Sequence, residues 1–197
     1  MNHIHPIFER TVSKERKESL LQQKSIVVWM VGLSGSGKST LAVGLENRLS
    51  EIGVLTQLLD GDNLRVGINN NLGFSENDRL ENIRRASEVA KLFLNCGVVT
   101  ICSFISPLVQ YRELAKKIVG KENFYEVFVN APFEICENRD VKGLYKKARN
   151  GEIKNFTGLD APFEKPEAPA LEIKTDILSL DESLDLLFES VLKLIKQ

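Results

Sequence analysis

The stretch Gly32-Leu33-Ser34-Gly35-Ser36-Gly37-Lys38-Ser39 constrains this chain more than any other feature. It is a complete G-x-x-x-x-G-K-[ST] pattern. The apolar run Ile26 to Val31 before it predicts a buried strand. The segment from Thr40 to Leu49 after it carries apolar residues at helical spacing. Strand, glycine-rich turn and helix are the context in which this pattern cradles phosphate. Glycines let successive N–H groups turn toward an anion without Cβ clashes, and the following helix adds its positive end. The pattern therefore predicts that Gly32, Leu33, Ser34, Gly35, Ser36, Gly37, Lys38, Ser39 and Thr40 hold a nucleoside triphosphate. In such a loop Lys38 reaches the β- and γ-phosphates and the Ser39 hydroxyl sits on Mg²⁺.

The remaining chain reads as one α/β domain. Apolar runs at Val54–Leu59, Val98–Phe104 and Phe124–Val129, with Leu171–Ile173, predict four more strands. Between them Glu76–Cys96 keeps Leu80, Ile83, Val89, Ala90, Phe93 and Leu94 on one helical face. Ser75 is its expected N-cap, with Asp78 three residues on. Leu108–Val119 reads as a short helix and Ser183–Lys196 as an amphipathic closing helix. Alternating strands and helices imply a five-stranded parallel sheet covered on both faces, with ligands at the carboxyl ends of the strands. Residues 1–24 are polar and read as an N-terminal tail preceding a single domain over 25–197. They lack the apolar core of a signal peptide.

A net charge of −1 offers no global basic field for nucleic acid. No apolar run approaches the ~20 residues that span a bilayer. Cys96, Cys102 and Cys136 have no C-x-x-C spacing, so they read as reduced, buried thiols in a cytoplasmic protein. His3 and His5 form an H-x-H pair in the tail, a weak metal signal without further ligands. Charge is concentrated instead between Arg139 and Pro166, which holds Lys142, Lys146, Lys147, Arg149, Lys154 and Lys165 and few apolar residues. In a chain with a phosphate loop, this stretch reads as a basic lid that closes over phosphates and expels water.

A phosphate loop alone does not separate kinases from GTPases and motors. The chain has no N-K-x-D guanine signature and no long apolar strand ending in Asp-Glu. Its size and basic lid favour phosphoryl transfer to a small acceptor. Beyond that point the sequence resembles the adenylyl-sulfate kinase (APS kinase) family from Ile26 to the C-terminus. The resemblance rests on GLSGSGKST (Gly32–Thr40), LLDGDNLR (Leu58–Arg65), LGFSENDRLENIRR (Leu72–Arg85), FISP (Phe104–Pro107) and RDVKGLYKKARNGEIKNFTGLDAPFEKPEAP (Arg139–Pro169).

The resemblance implies transfer of the ATP γ-phosphate to the 3′-hydroxyl of adenosine 5′-phosphosulfate, giving 3′-phosphoadenosine 5′-phosphosulfate (PAPS) in sulfate assimilation. It implies ATP and Mg²⁺ as cofactors, a homodimer, and functional coupling to a separate ATP sulfurylase. It assigns the acceptor to Asp62, Arg65, Phe74, Arg79, Asn82, Ile105, Ser106, Lys142, Lys154 and Phe156, with Phe74 and Phe156 sandwiching its adenine. Arg139 matches the basic position beside the donor adenine. Strand-end carboxylates suit the chemistry independently. Asp62 is favoured to orient the attacking hydroxyl, and Asp60 to serve the metal side or structure. Asp60-Gly61 also suits an ordinary turn after a strand. Ser106 matches a serine that is a phosphorylation site in some members, yet in-line transfer needs no covalent stage and a backbone role is equally open. Where the family often carries aromatic-Arg after FISP, this chain has Leu108-Val109, and Arg112 is the candidate replacement one helical turn later. Competing readings are a gluconate-, shikimate- or nucleoside-type kinase, and a non-catalytic nucleotide-sensing module.

Overall fold

The computed structural model describes residues 3–196. Its centre is strand β1 (Val27–Val31), whose five residues are all buried. β-branched and aromatic side chains on both faces suit a strand covered twice. Val28 and Met30 enter one core with Leu41, Leu45, Leu49 and Leu187. Val27, Trp29 and Val31 enter the other with Ile83, Ala86, Ala90 and Tyr111. This alternation is the two-residue period of a strand.

The first core is closed by α2 (Lys38–Glu51) and α8 (Leu180–Ile195). The second is closed by α4 (Glu76–Asn95) and α5 (Val109–Val119). The other strands are β2 (Thr56–Asp60), β3 (Val99–Ser103), β4 (Phe124–Asn130) and β5 (Leu171–Lys174). All pairings are parallel and the order is β2-β3-β1-β4-β5. Chain reversals on either side of β1 open a crevice at its carboxyl end, where the phosphate loop begins. The expected five-stranded parallel α/β architecture is therefore present.

Three shorter helices are α3 (Gly61–Val66), α6 (Phe133–Arg139) and α7 (Leu144–Arg149). The Asp60-Gly61 turn expected from sequence is the entry to α3: the Asp60 side chain accepts a hydrogen bond from the Asp62 N–H at 3.0 Å. Ser75 caps α4 as expected, accepting from Asp78 N–H. The closing helix begins earlier than its apolar period suggests. Ser179 and Glu182 form a reciprocal capping box there.

The polar N-terminal stretch is ordered before Lys24. Ser13 caps α1 (Lys14–Leu21). The Gln23 amide is buried and donates to the Leu55 and Gly97 carbonyls, both at 2.9 Å. These bonds anchor the stretch beneath the amino ends of the strands; Met1 and Asn2 of the expected tail lie outside the described residues. His3 and His5 are exposed, and no cluster of three or more His, Cys, Asp or Glu able to hold a metal occurs among the described residues. The thiols of Cys102 and Cys136 are buried as expected, whereas Cys96 is exposed at the end of α4.

Candidate active site

Close packing dictates the shape of the phosphate loop. A Cβ at Gly32 would stand 2.3 Å from the Val129 carbonyl oxygen, and one at Gly35 2.7 Å from that of Cys136. Neither contact is tolerable, so the loop passes against β4 and α6 only as glycine. Gly37, at φ 100°, opens α2. Lys38 is thereby carried into the loop's interior, where its ammonium donates to the Gly32 and Leu33 carbonyls at 2.8 and 2.7 Å. Burial pushes its pKa down to about 8, with Cys136 and Asp60 opposing that shift. A buried, partly desolvated ammonium is strongly attracted to any anion that enters.

Ser34, Gly35, Gly37, Lys38, Ser39 and Thr40 line one cavity of about 650 Å³. Gly32, Leu33 and Ser36 do not: Gly32 is pressed against the Val129 carbonyl, Leu33 faces a second hollow behind the loop, and Ser36 is fully buried. The Ser39 hydroxyl donates to Asp60 at 2.9 Å and lies 3.4 Å from the Ser103 hydroxyl. Mg²⁺ takes hard oxygens, keeps several waters, and needs only one or two protein groups beside substrate phosphate. The Ser39–Asp60 pair meets that requirement.

Across the cavity, Asp62 is ion-paired with Lys142 at 2.5 Å, and that bond raises the lysine's pKa. Arg65, Phe74, Arg79, Asn82, Ile105 and Ser106 line the same space. Phe74 is 63% exposed, so it contributes to no core, and the Arg65 guanidinium lies over its ring at 4.3 Å. Asn82 is buried and accepts from the Asn69 side chain at 3.0 Å. Arg139 reaches back to the loop, donating to the Gly35 carbonyl at 3.3 Å and to Thr175 Oγ1 at 3.1 Å.

Three expectations meet a different arrangement. Phe156 does not line the cavity: it is 8% exposed and packs edge-on against Tyr145 with ring centres 4.8 Å apart. Lys154 is exposed and also lies outside the cavity lining. Arg112 is no substitute substrate arginine. It is 4% exposed, paired with Glu126 at 3.2 Å, and donates to the Ser106 carbonyl at 3.0 Å. The helical period of α5 turns this position toward the sheet, away from the cavity.

The basic stretch is also better packed than its charge suggests. Tyr145, Ala148 and Phe156 form a small core with Leu33 and Cys136. The Tyr145 hydroxyl donates to the Ser34 carbonyl at 2.9 Å, tying α7 to the phosphate loop. The Asp160 carboxylate accepts from the N–H groups of Asn155 and Phe156. Arg79 then donates to Thr157 Oγ1 at 3.1 Å and to the Asn155 carbonyl at 2.7 Å, joining α4 to this loop.

Sequence reasoning misses Thr175. Its hydroxyl donates to the Ser36 carbonyl at 2.8 Å and accepts from Arg139, and the residue lines the cavity. Its place just past the carboxyl end of β5 is the one signal that points to it. Tyr145 has none, because a lone tyrosine among lysines carries no period.

A glycine loop at the central strand, a buried lysine, a Ser–Asp pair and a facing acceptor pocket define a P-loop kinase-type phosphotransferase. Residues 24–174 match the family model described as adenylylsulphate kinase. An adenylyl-sulfate kinase of Bacteroides thetaiotaomicron is 60% identical over 196 residues, covering 100% of this chain and 98% of that protein. The structure of the Mycobacterium tuberculosis APS kinase in complex with AMPPNP and APS superposes with a TM-score of 0.82 at 46% identity, covering 85% of this chain and 98% of that one. A gluconokinase from Sinorhizobium meliloti shares the fold at a TM-score of 0.59 and 17% identity, covering 87% and 93% of the two chains. The chain belongs to the adenylylsulphate kinase family, and its activity is that of an adenylyl-sulfate kinase.

Proposed function

We propose that this chain phosphorylates the 3′-hydroxyl of adenosine 5′-phosphosulfate from ATP by direct in-line transfer, yielding PAPS. One observation carries the assignment of roles. A single cavity has the phosphate loop with Lys38 and Ser39 on one wall and Asp62, Arg65, Phe74, Arg79, Asn82, Ile105 and Ser106 on the other.

On the donor side, N–H groups of Gly35, Gly37, Lys38, Ser39 and Thr40 at the start of α2 bind the ATP phosphates. Lys38 leaves its two carbonyl partners to neutralise charge building on the transferring group. Ser39 and Asp60 are the residues that would hold Mg²⁺, which would supply electrostatic stabilisation of the transferring phosphoryl group. Arg139 and Thr175 flank the donor nucleoside.

On the acceptor side, the carboxylate of Asp62 accepts the 3′-hydroxyl proton and aims the oxygen at the γ-phosphate. Lys142 is the ion-pair partner of that carboxylate, at 2.5 Å, and ties the basic stretch to it. Arg65 and Arg79 serve the phosphosulfate oxygens, a geometry that suits guanidinium forks. Phe74 stacks on the adenine with its other face covered by Arg65. Phe156 completes a sandwich only if the loop around it turns toward the cavity, and Lys154 approaches the acceptor by the same motion. Ser106 serves through its backbone: its hydroxyl is taken by the Trp29 indole N–H at 3.0 Å and the residue is 2% exposed.

No helix among the described residues is long and apolar enough to cross a membrane. A cytoplasmic location, a homodimer and coupling to a separate ATP sulfurylase remain part of this proposal, on family resemblance. The testing experiment is a coupled assay with adenylyl sulfate, ATP and Mg²⁺, with AMP and gluconate as control acceptors. Turnover that needs adenylyl sulfate supports the reading. Equal turnover with gluconate, or none with adenylyl sulfate, overturns it.

A further inference from the structure

We propose that the pair formed by buried Arg112 and half-buried Glu126 is a positioning device that sets the acceptor wall of the cavity through the Ser106 carbonyl. The proposal rests on the acceptor assignment above and adds residues that do not themselves touch the cavity.

Ser106 has a left-handed backbone, with φ 43°, although it is not glycine. Such a conformation persists only where surrounding contacts over-determine it. Here two elements bond to Ser106 directly, and two more hold its supports and its neighbours. From β1, the Trp29 indole N–H donates to the Ser106 hydroxyl at 3.0 Å, and the Trp29 ring stacks on Phe104 at 5.1 Å. From α5, Arg112 donates to the Ser106 carbonyl at 3.0 Å. From β4, Glu126 holds the other edge of that guanidinium at 3.2 Å. Glu126 and Trp29 are direct register partners across the β1–β4 ladder, so both supports rise from one place in the sheet. From the end of the basic stretch, Glu164 N–H donates to the Pro107 carbonyl at 2.8 Å, and the Glu164 carboxylate accepts from the Val109 N–H at 2.6 Å.

An ion pair taken largely out of water is often replaced by apolar residues without loss of stability, because desolvation offsets the attraction. The adjoining core is already built from Trp29, Phe104, Tyr111 and Phe128. What the pair does hold is one carbonyl of the Ile105–Pro107 turn, and Ile105, Ser106 and Pro107 all line the acceptor side. A planar guanidinium can bridge a carboxylate and a carbonyl in fixed geometry, which a lysine point charge cannot. The pair therefore acts on acceptor placement and leaves the phosphate loop alone.

The test compares Arg112→Met combined with Glu126→Leu, and Glu126→Gln alone, against wild type. KM for adenylyl sulfate, KM for ATP, kcat and the melting midpoint are measured for each. In the folded double variant, KM for adenylyl sulfate should rise by roughly tenfold or more, the scale of a lost hydrogen bond to a charged group. KM for ATP should stay within about twofold. Glu126→Gln should stay nearer to wild type, since its amide oxygen still faces the Arg112 guanidinium. A folded double variant with wild-type KM for adenylyl sulfate overturns the proposal. So does a parallel rise in both KM values with a lowered melting midpoint, which marks a merely structural role. If the double variant does not fold, Arg112→Lys decides: it keeps the charge beside Glu126 and loses the fork, and a wild-type acceptor KM there overturns the proposal. A wild-type enzyme without adenylyl-sulfate-dependent turnover defeats the acceptor assignment instead, and is seen before any variant is made.

Discussion

The two walls of the cavity are built in different ways. The donor wall is backbone: a glycine loop pressed against Val129 and Cys136, with a lysine folded back onto its own loop carbonyls. The acceptor wall is side chains drawn from distant segments, such as Arg79 on α4 bonded to Asn155, and Lys142 paired with Asp62. A backbone cradle is specified within a few residues and tolerates little. A side-chain wall depends on where whole elements land and can be re-aimed. On the roles proposed above, triphosphate chemistry falls on the backbone side and substrate choice on the side-chain one.

The sharpest way to break this comparison is at the donor wall. Lys38→Ala should abolish transfer, by roughly 10³-fold or more as for loss of a preorganised electrostatic donor. The protein should remain folded, because removing a buried ammonium removes a desolvation cost as well. Turnover and melting measured together check this, and near-wild-type turnover in a folded variant would sink the assignment of the loop.

Asp62→Asn is expected next, with a loss of about 10²-fold or more, the range of a general base. Ser106→Ala should lose much less, since only the bond from Trp29 disappears. An equal loss at both positions, with phosphate trapped on Ser106, would instead favour a covalent route.

The aromatic pair sharpens the contrast inside the acceptor wall. Phe74→Ala should weaken adenylyl sulfate binding by roughly 5- to 150-fold, from a stacking energy of about 1–3 kcal/mol. Its melting midpoint should hold, because the ring is 63% exposed. Phe156→Ala should lower the melting midpoint, because this ring sits in a small core with Tyr145 and Leu33. Titration of adenylyl sulfate alongside melting curves tests both. Unchanged acceptor affinity in Phe156→Ala would show that this ring never leaves its core.

The smallest effect expected is a pH dependence. Lys38 has a folded pKa of about 8 against an ordinary 10.5, lowered first by burial. The folded state therefore binds fewer protons than the unfolded state between those values, and this group's contribution to stability grows as pH rises through them. Binding of ATP runs the other way, because the phosphates need the charged form. The kcat/KM for ATP should fall as pH rises past about 8, by up to about tenfold per unit. A profile flat to about pH 10, near the ordinary lysine value, would show that the lysine stays charged in the free enzyme.

Much of the molecule is legible in the amino-acid sequence alone. The phosphate loop, the five strands and the Ser75 cap are local signals, written in runs of a few residues. The sequence also names Ser39 for the metal and Asp60 for the metal side or structure, although their 2.9 Å contact depends on β2 lying two strands from β1. Three things are decided only by tertiary structure. Arg112 turns inward to Glu126, because the pitch of α5 and the register of β4 bring those positions together. Phe156 joins a core with Leu33 and Tyr145, because the basic stretch folds back over the phosphate loop. Thr175 becomes a cavity residue, because β5 ends beside that loop. Local sequence determines what a turn or helix can be, since its hydrogen bonds close within a few residues. Contacts between distant positions depend on how those elements stack, and no short stretch of the chain records that.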